Sequence, residues 1–223
     1  MKVAITGHKT GIGKFLFESF TQEGHDVVGF GRSNGYNIKD KDSRDKIIAE
    51  SKNCDVFINN AYNYEDWDNS QLDMLKEIYT DWVSEKDKCI INLSSSAADI
   101  YPTPVTVPGV PRYPDYVKAK WEQDRWLVSV RNFLNVREQV RLINLKPGRV
   151  LTEKTYDKWK DHRVLKNSDV YKVVQLVLTE KEIELIPERL SKVSGEVMNI
   201  KESIIDLRTK DRAVQDKVST LNT

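Results

Sequence analysis

Residues 2–13 constrain this chain more than any other stretch. Lys2-Val3-Ala4-Ile5 is a short, β-branched apolar run, Thr6-Gly7-His8-Lys9-Thr10-Gly11-Ile12-Gly13 follows at once, and Phe15, Leu16, Ser19 and Phe20 then recur at helical spacing. The pattern predicts a buried strand, a tight turn and a helix. Glycines in such a turn serve the reversal itself, the approach of bare backbone to a pyrophosphate, and close packing of helix on strand. Free amides at the helix start, with the helix dipole, attract phosphate. Thr6, Gly7, Lys9, Gly11, Ile12 and Gly13 are therefore candidate dinucleotide-binding residues, against the plain alternative of a structural turn. The gap between the first two glycines is wider than in the common dinucleotide fingerprint.

At 223 residues the chain suits one α/β domain with one sizeable core. Thirty-five basic residues against 34 acidic ones leave a formal charge of +1, which gives no electrostatic reason to expect nucleic acid or an anionic membrane as partner. The N-terminus enters a strand without a signal-peptide pattern, and no apolar run approaches the roughly 20 residues of a membrane helix, so the expectation is a soluble, cytoplasmic protein. Cys54 and Cys89 offer neither a disulfide framework nor a metal spacing and read as small buried side chains. His8, His25 and His162 are isolated, so no metal site is expected, and His8 is placed near phosphate.

Gly24 should stop the first helix, and Asp26–Phe30 reads as the second strand, running into Gly31-Arg32-Ser33. An acid at this strand end would accept hydrogen bonds from the ribose of NAD, whereas a basic residue pairs with the 2′-phosphate of NADP. No acid stands here. Arg32 and Ser33, with Lys9 as a second cation, favour NADP over NAD; the alternative is a solvated surface arginine. Asn34-Gly35 is a turn, Tyr36–Ile38 a brief extended segment, and a polar helix is expected over 43–51 with Ser43 as its cap. Asp55–Ile58 is the next strand and runs into Asn59-Asn60-Ala61-Tyr62. Residues 68–86 carry Leu72, Leu75, Ile78, Tyr79 and Trp82 at helical spacing, with Asp68 or Asn69 as the cap.

Cys89–Leu93 is a further strand delivering Ser94-Ser95-Ser96 at its carboxyl end, where open α/β sheets hold ligands. Tyr116-x-x-x-Lys120 places both side chains on one face of a helix expected to run to about Phe133. After a strand over 140–145 comes Lys146-Pro147-Gly148-Arg149-Val150-Leu151-Thr152. With Thr-Gly-x-x-x-Gly-x-Gly, Asn-Asn-Ala, Ser-Ser, Tyr-x-x-x-Lys and Pro-Gly-x-Val-x-Thr in this order over residues 1–200, the chain resembles the short-chain dehydrogenase/reductase family.

That resemblance implies an NADP(H)-dependent oxidoreductase interconverting a carbonyl and a secondary alcohol on a small molecule. Charge left on the oxygen by hydride transfer needs a proton donor and a second hydrogen bond. Tyr116 is assigned as acid/base, Lys120 as the ammonium that lowers its pKa and reaches the ribose, and Ser95 as the ligand of the substrate oxygen, with Ser94 and Ser96 as register alternatives. The resemblance also implies cofactor contacts at Asn60, Ala61, Pro147, Gly148, Val150 and Thr152. It implies pairing of the Tyr116 helix and its predecessor across a homodimer or homotetramer, although the aromatics on the Tyr116 helix read equally as core. Two departures stand out. Tyr62 replaces the usual glycine, and the helix lacks the family's central Asn, leaving Asn69 as the nearest candidate.

The Pro-rich segment 101–111 is an extended loop, read either as a wall of the substrate pocket or as plain surface. Residues 153–165 occupy the place of the family's substrate lid, a helix is expected over 167–179 and a last strand over 196–200. The 201–223 tail departs from the family: Leu207, Val214 and Leu221 form a faint helical stripe that could meet a partner subunit, against a charged terminus as the default. The fold class expected is a single Rossmann-like, doubly wound α/β domain with a mainly parallel sheet, residues 1–200, followed by that tail. Two other functions use the same features, an NADP-binding regulator without chemistry and a nucleotide-sugar epimerase or dehydratase.

Overall fold

Alternation of buried side chains along three strands shows how the chain is layered. Val3, Ile5, Val56, Ile58, Ile91 and Leu93 pack to one side of the sheet, while Ala4, Phe57 and Ile90 pack to the other. Strands apolar on both faces need helices on both faces, and the elements supply them. The computed structural model describes residues 1–63, 68–100, 114–133, 140–162 and 164–179. In chain order these are β1 (Lys2–Thr6), α1 (Gly11–Gln22), β2 (Asp26–Phe30), α2 (Lys41–Ser51), β3 (Val56–Asn59), α3 (Ser70–Trp82), β4 (Cys89–Leu93), α4 (Pro114–Phe133), β5 (Arg141–Leu145), β6 (Val150–Leu151), α5 (Tyr156–Trp159), β7 (Leu165–Lys166) and α6 (Asn167–Thr179), with 3-10 turns at Arg32–Asn34 and Ser96–Ile100. The Pro-rich loop, the strand expected over 196–200 and the tail lie outside the described residues.

The main sheet is parallel with the order β2-β1-β3-β4-β5, and β6 and β7 form a separate parallel pair. Leu16 and Phe20 of α1 and Val170, Val174 and Val177 of α6 cover one face; Ile47 of α2, Met74, Leu75 and Ile78 of α3 and Leu127 of α4 cover the other. Each such buried side chain contributes about 1.5–3 kcal/mol. This is the doubly wound arrangement. The strand order reverses between β1 and β3, and that switch point opens a crevice at the carboxyl ends of the strands. Cys54 and Cys89 are free and buried, and burial pushes the Cys89 thiol up to about 11.

Local differences from the sequence reading have physical causes. Tyr36–Ile38 forms no strand among the described residues; Ile38 and Tyr36 instead fold under β2, with Tyr36 edge-on to Phe30 at 4.9 Å. Asp40, not Ser43, sits at the N-cap of α2; Ser43 is buried, its hydroxyl accepting from the Asn37 amide at 2.7 Å. α3 ends at Trp82 rather than near Lys86, and Asp68 receives the Ser70 amide at 3.0 Å.

His8 departs most from expectation. Its ring is buried against Phe17 of α1, with centroids 5.1 Å apart, and lies flat under Gly29, where an added Cβ would come within 2.3 Å of it. A glycine inside a strand is thus explained by close approach of a ring, and His8 serves packing rather than phosphate. Gly29→Ala is expected to destabilise the fold by about 1–3 kcal/mol through overpacking. Combined with His8→Ala the cost should be smaller than the sum of the single changes, as measured by denaturant unfolding in a double-mutant cycle.

Candidate active site

The loop between β1 and α1 is fastened to the loop after β3. The Thr6 hydroxyl accepts from the amides of Asn60 and Ala61, both at 3.0 Å, and the Asn60 side-chain amide donates to the Thr6 and Gly7 carbonyls at 3.0 and 3.3 Å. Gly7 and Gly11 take φ of 73° and 58°, values that favour glycine. A Cβ on Gly13 would lie 2.3 Å from the Gly7 carbonyl, so the third glycine is required by contact. The Asn60 side chain is thereby committed to the loop. Ile12 is half-buried, and Lys9, Arg32 and Ser33 are exposed around the end of β2.

An anion already sits at the start of α1. The Gly11 N–H donates to the Glu153 carboxylate at 3.0 Å, and this bond holds the carboxyl below its ordinary range. The Thr152 methyl lies 3.6 Å from the position of a Cβ on Gly11. The helix start therefore fits a phosphate, in the place Glu153 occupies. The Thr152 amide and hydroxyl are engaged by the Thr155 hydroxyl at 2.9 and 3.1 Å. Val150 is buried and its strand pairs with Leu165–Lys166. The Pro147 carbonyl accepts from the Ser96 amide at 3.1 Å, and Gly148 is exposed.

The second cluster lies at the carboxyl ends of β3, β4 and β5. Among the three serines, Ser95 hydrogen-bonds the Tyr116 phenol; Ser94 is buried and reaches Asp124 at 3.4 Å, and Ser96 is exposed. The Ala97 amide donates to the Ser95 oxygen at 3.2 Å. Tyr62 meets Tyr116 edge-on, with centroids 5.2 Å apart, and the Lys120 ammonium lies 4.5 Å from the Tyr62 ring centre and 5.6 Å from that of Tyr116. The residue in place of the family's glycine is thus part of the cluster.

Lys120 is 2 % exposed, and its Nζ donates to the Gln71 side-chain oxygen. Gln71 also accepts from Gln123 at 3.1 Å and donates to the carbonyls of Asn59 and Leu93, both at 3.0 Å. Beneath it the apolar rung Phe57–Ile90–Leu142 gives way two residues later to Asn59–Asn92–Asn144, linked side chain to side chain at 3.0 and 2.8 Å. Burial lowers the Lys120 value to about 7, opposed by Asp124. The Tyr116 phenol is raised, chiefly by burial, with Ser95 opposing. The lowering of Tyr116 expected from the ammonium together with an oxidised nicotinamide concerns the cofactor-bound site; without cofactor, burial dominates.

The sequence reading missed Gln71. Asn69, its candidate, is exposed and donates to Glu122 at 2.7 Å, away from Lys120. The signal was available: Gln71, Met74, Leu75 and Ile78 follow the apolar helical spacing, so a glutamine stands on the buried stripe.

Comparison with known proteins agrees with this architecture. The profile of the NAD dependent epimerase/dehydratase family matches residues 3–87, the nucleotide-binding end alone. No curated protein sequence matches the chain. Among solved structures, the closed form of serine dehydrogenase complexed with NADP+ superposes with a TM-score of 0.64 at 21 % identity, covering 80 % of this chain and 89 % of that one. A 4-hydroxyisoleucine dehydrogenase complexed with NADH gives 0.64 at 14 % identity, covering 81 % and 91 %. The 3-ketoacyl-(acyl-carrier-protein) reductase of Brucella melitensis complexed with NADH gives 0.58 at 18 %, covering 79 % and 89 %. The fold is that of the short-chain dehydrogenases/reductases. Within that fold, the Ser95, Tyr116 and Lys120 cluster and the glycine-rich loop both border the carboxyl edge of the sheet.

Two measurements probe this geometry. The folded-state value of Lys120, about 7, lies below the 10.5 of an ordinary lysine, so unfolding takes up a proton between those values. The cost of burying the charge is full below about pH 7 and is relieved as pH rises toward 10.5. The Tm difference between Lys120→Met and wild type should therefore fall as pH is raised from about 6 to about 9. Glu153→Gln removes the tethered anion from the helix start and should tighten NADPH binding roughly threefold to tenfold, read by fluorescence titration.

Proposed function

We propose that this protein is an NADP(H)-dependent oxidoreductase that interconverts a carbonyl and a secondary alcohol on a small molecule. The observation that carries the reading is the hydrogen bond between Ser95 and Tyr116, with Lys120 one turn along the same helix. When bound, the nicotinamide cofactor supplies or takes up the hydride. Gly7, Gly11, Ile12 and Gly13 would hold its phosphates, Asn60 and Ala61 fix that loop in place, and Val150 and Thr152 of the 147–152 segment would hold its nicotinamide end. Exposed Arg32, Ser33 and Lys9 at the end of β2, where no acid stands, support a 2′-phosphate and hence NADP.

Each residue then has a defined task. Ser95, beside the Tyr116 phenol, binds the substrate oxygen through its hydroxyl. Tyr116 gives a proton to that oxygen in reduction and removes it in oxidation. Lys120 as an ammonium stabilises the phenolate that results. Burial of Lys120 keeps water from its amine.

The match to the epimerase/dehydratase profile favours a second reading, a nucleotide-sugar epimerase or dehydratase with the same Tyr-x-x-x-Lys pair. The match stops at residue 87, before the serines and Tyr116, and so speaks for nucleotide binding rather than for that chemistry. A regulator that binds NADP without chemistry has no need of Ser95, Tyr116 and Lys120 together. Near-neutral charge gives no electrostatic reason for a nucleic-acid or membrane partner, and no helix among the described residues is long and apolar enough to cross a membrane. The resemblance supports a homodimer or homotetramer.

Fluorescence titration of wild type and Arg32→Ala with NADPH and NADH tests the cofactor assignment. NADPH binding should weaken about tenfold in the variant while NADH binding changes little. On a carbonyl panel, Tyr116→Phe should lose at least about 100-fold in turnover. Binding without Tyr116-dependent turnover would favour the regulator; turnover confined to nucleotide sugars would favour the epimerase.

A further inference from the structure

α4 carries Tyr116, Lys120 and Asp124 at intervals of four residues, so the three share one face of the helix. Tyr116 and Lys120 already have tasks in the proposed reaction. Asp124 has none, yet among the described residues it is the most heavily engaged carboxylate near the site. One of its oxygens accepts from Asn144 at 2.9 Å and from Ser94 at 3.4 Å; the other accepts from Lys146 at 2.9 Å. Its side chain is 18 % exposed.

These bonds give the buried polar layer a direction. A carboxylate only accepts, so the Asn144 amide must turn its NH2 toward Asp124 and its oxygen toward Asn92. Asn92 then donates to Asn144 and accepts from Asn59, and Asn59 donates onward to the Gln71 backbone carbonyl at 2.9 Å. At the other end, Gln71 gives its NH2 to two backbone carbonyls and so turns its oxygen to Lys120. Lys120 thus has an acceptor but, among the described residues, no carboxylate in contact. Among the described residues, the titratable groups facing it are Tyr62 and Tyr116 as ring neighbours and Asp124 one turn along α4; Gln71 and Gln123 are neutral. Lys146, on the far side of Asp124, also pairs with Asp99 of the turn after β4.

We propose that Asp124 is a positioning residue acting through Lys120: its carboxylate is the counter-charge that keeps the buried amine an ammonium at neutral pH and orients the asparagine layer beneath it, while Lys146 sets how much of that charge Lys120 feels. The role in turnover rests on the oxidoreductase reading; the charge pairing does not. In a dry interior a carboxylate acts over more than one contact distance, because little solvent screens it. A neutral Lys120 would leave the Tyr116 phenolate without its stabilising partner.

The test follows Lys120 by NMR in cofactor-free protein carrying lysine labelled with carbon-13 at Cε, the signal being assigned with Lys120→Met. In Asp124→Asn, which keeps the acceptor but removes the charge, the Lys120 titration should move to lower pH by on the order of one unit. In Lys146→Met, which unmasks Asp124, it should move to higher pH. Opposite signs cannot come from general loosening of the fold, and Asp124→Glu should return the midpoint toward wild type. With a carbonyl substrate, kcat of Asp124→Asn near pH 7 should fall about tenfold with KM little changed, and the pH profile should shift in the same sense. An unchanged Lys120 titration in both Asp124→Asn and Lys146→Met would overturn the proposal. The expected shifts without any Tyr116-dependent turnover would overturn the oxidoreductase reading and leave the charge pairing standing.

Discussion

A buried lysine amine is the constraint around which the carboxyl ends of β3, β4 and β5 are built. Lys120 has almost no contact with water, and removing a charge from water costs several kcal/mol unless hydrogen bonds and counter-charges offset it. The strands make the accommodation. On the α3/α4 face one rung of the parallel ladder is Phe57, Ile90 and Leu142; two residues later, toward the carboxyl ends, it is Asn59, Asn92 and Asn144. That exchange of rungs converts an oily core into a hydrogen-bonding floor. Gln71 then bridges floor and ammonium, and its own amide is satisfied by strand carbonyls. The register of the sheet and the first turn of α3 are therefore both tied to the needs of one side chain.

The nucleotide end obeys a different constraint, closeness of backbone. Thr6 and Asn60 use their side chains to bind the β1 and β3 loops together, so the glycine-rich turn is held by residues that a ligand need not touch. Gly13 is fixed by contact with the Gly7 carbonyl, and Gly29 by the His8 ring. Neither glycine is required by a positive φ; both are required by what lies against them. Glu153 closes the arrangement by placing a carboxylate on the open amide of Gly11, which shows in this chain's own chemistry that the helix start accepts an anion.

Much of the fold was legible because period and punctuation agreed. β2, β4 and α6 run over the residues the sequence pattern gave them, and the order of motifs placed loops and helices correctly along the sheet. What was not legible came from contacts between distant residues. A helical stripe read for apolar residues passes over Gln71, since glutamine normally marks a solvated face; only its neighbours Met74, Leu75 and Ile78 reveal that it faces inward. His8 looked like a phosphate ligand because it stands in the loop, and nothing local announces that Gly29 leaves room for its ring. The β6–β7 pair joins two residues to two across a 13-residue gap, too short for any periodicity to register.

Tyr116 and Lys120 are shifted in opposite directions by one cause. Lack of water raises the phenol and lowers the amine, so each is pushed toward its neutral form. Two buried groups pushed toward their neutral forms are sensitive to any remaining charge, because the medium that disfavours ionisation also fails to screen. Exposed pairs such as Lys118 with Glu122 have water around them and contribute little here. Asp124 lies in the intermediate zone, close enough to the dry interior to act on Lys120 and close enough to the surface to be balanced by Lys146 and, through it, by Asp99. The charge state of the buried pair is in this way linked to a short chain of groups that ends in solvent.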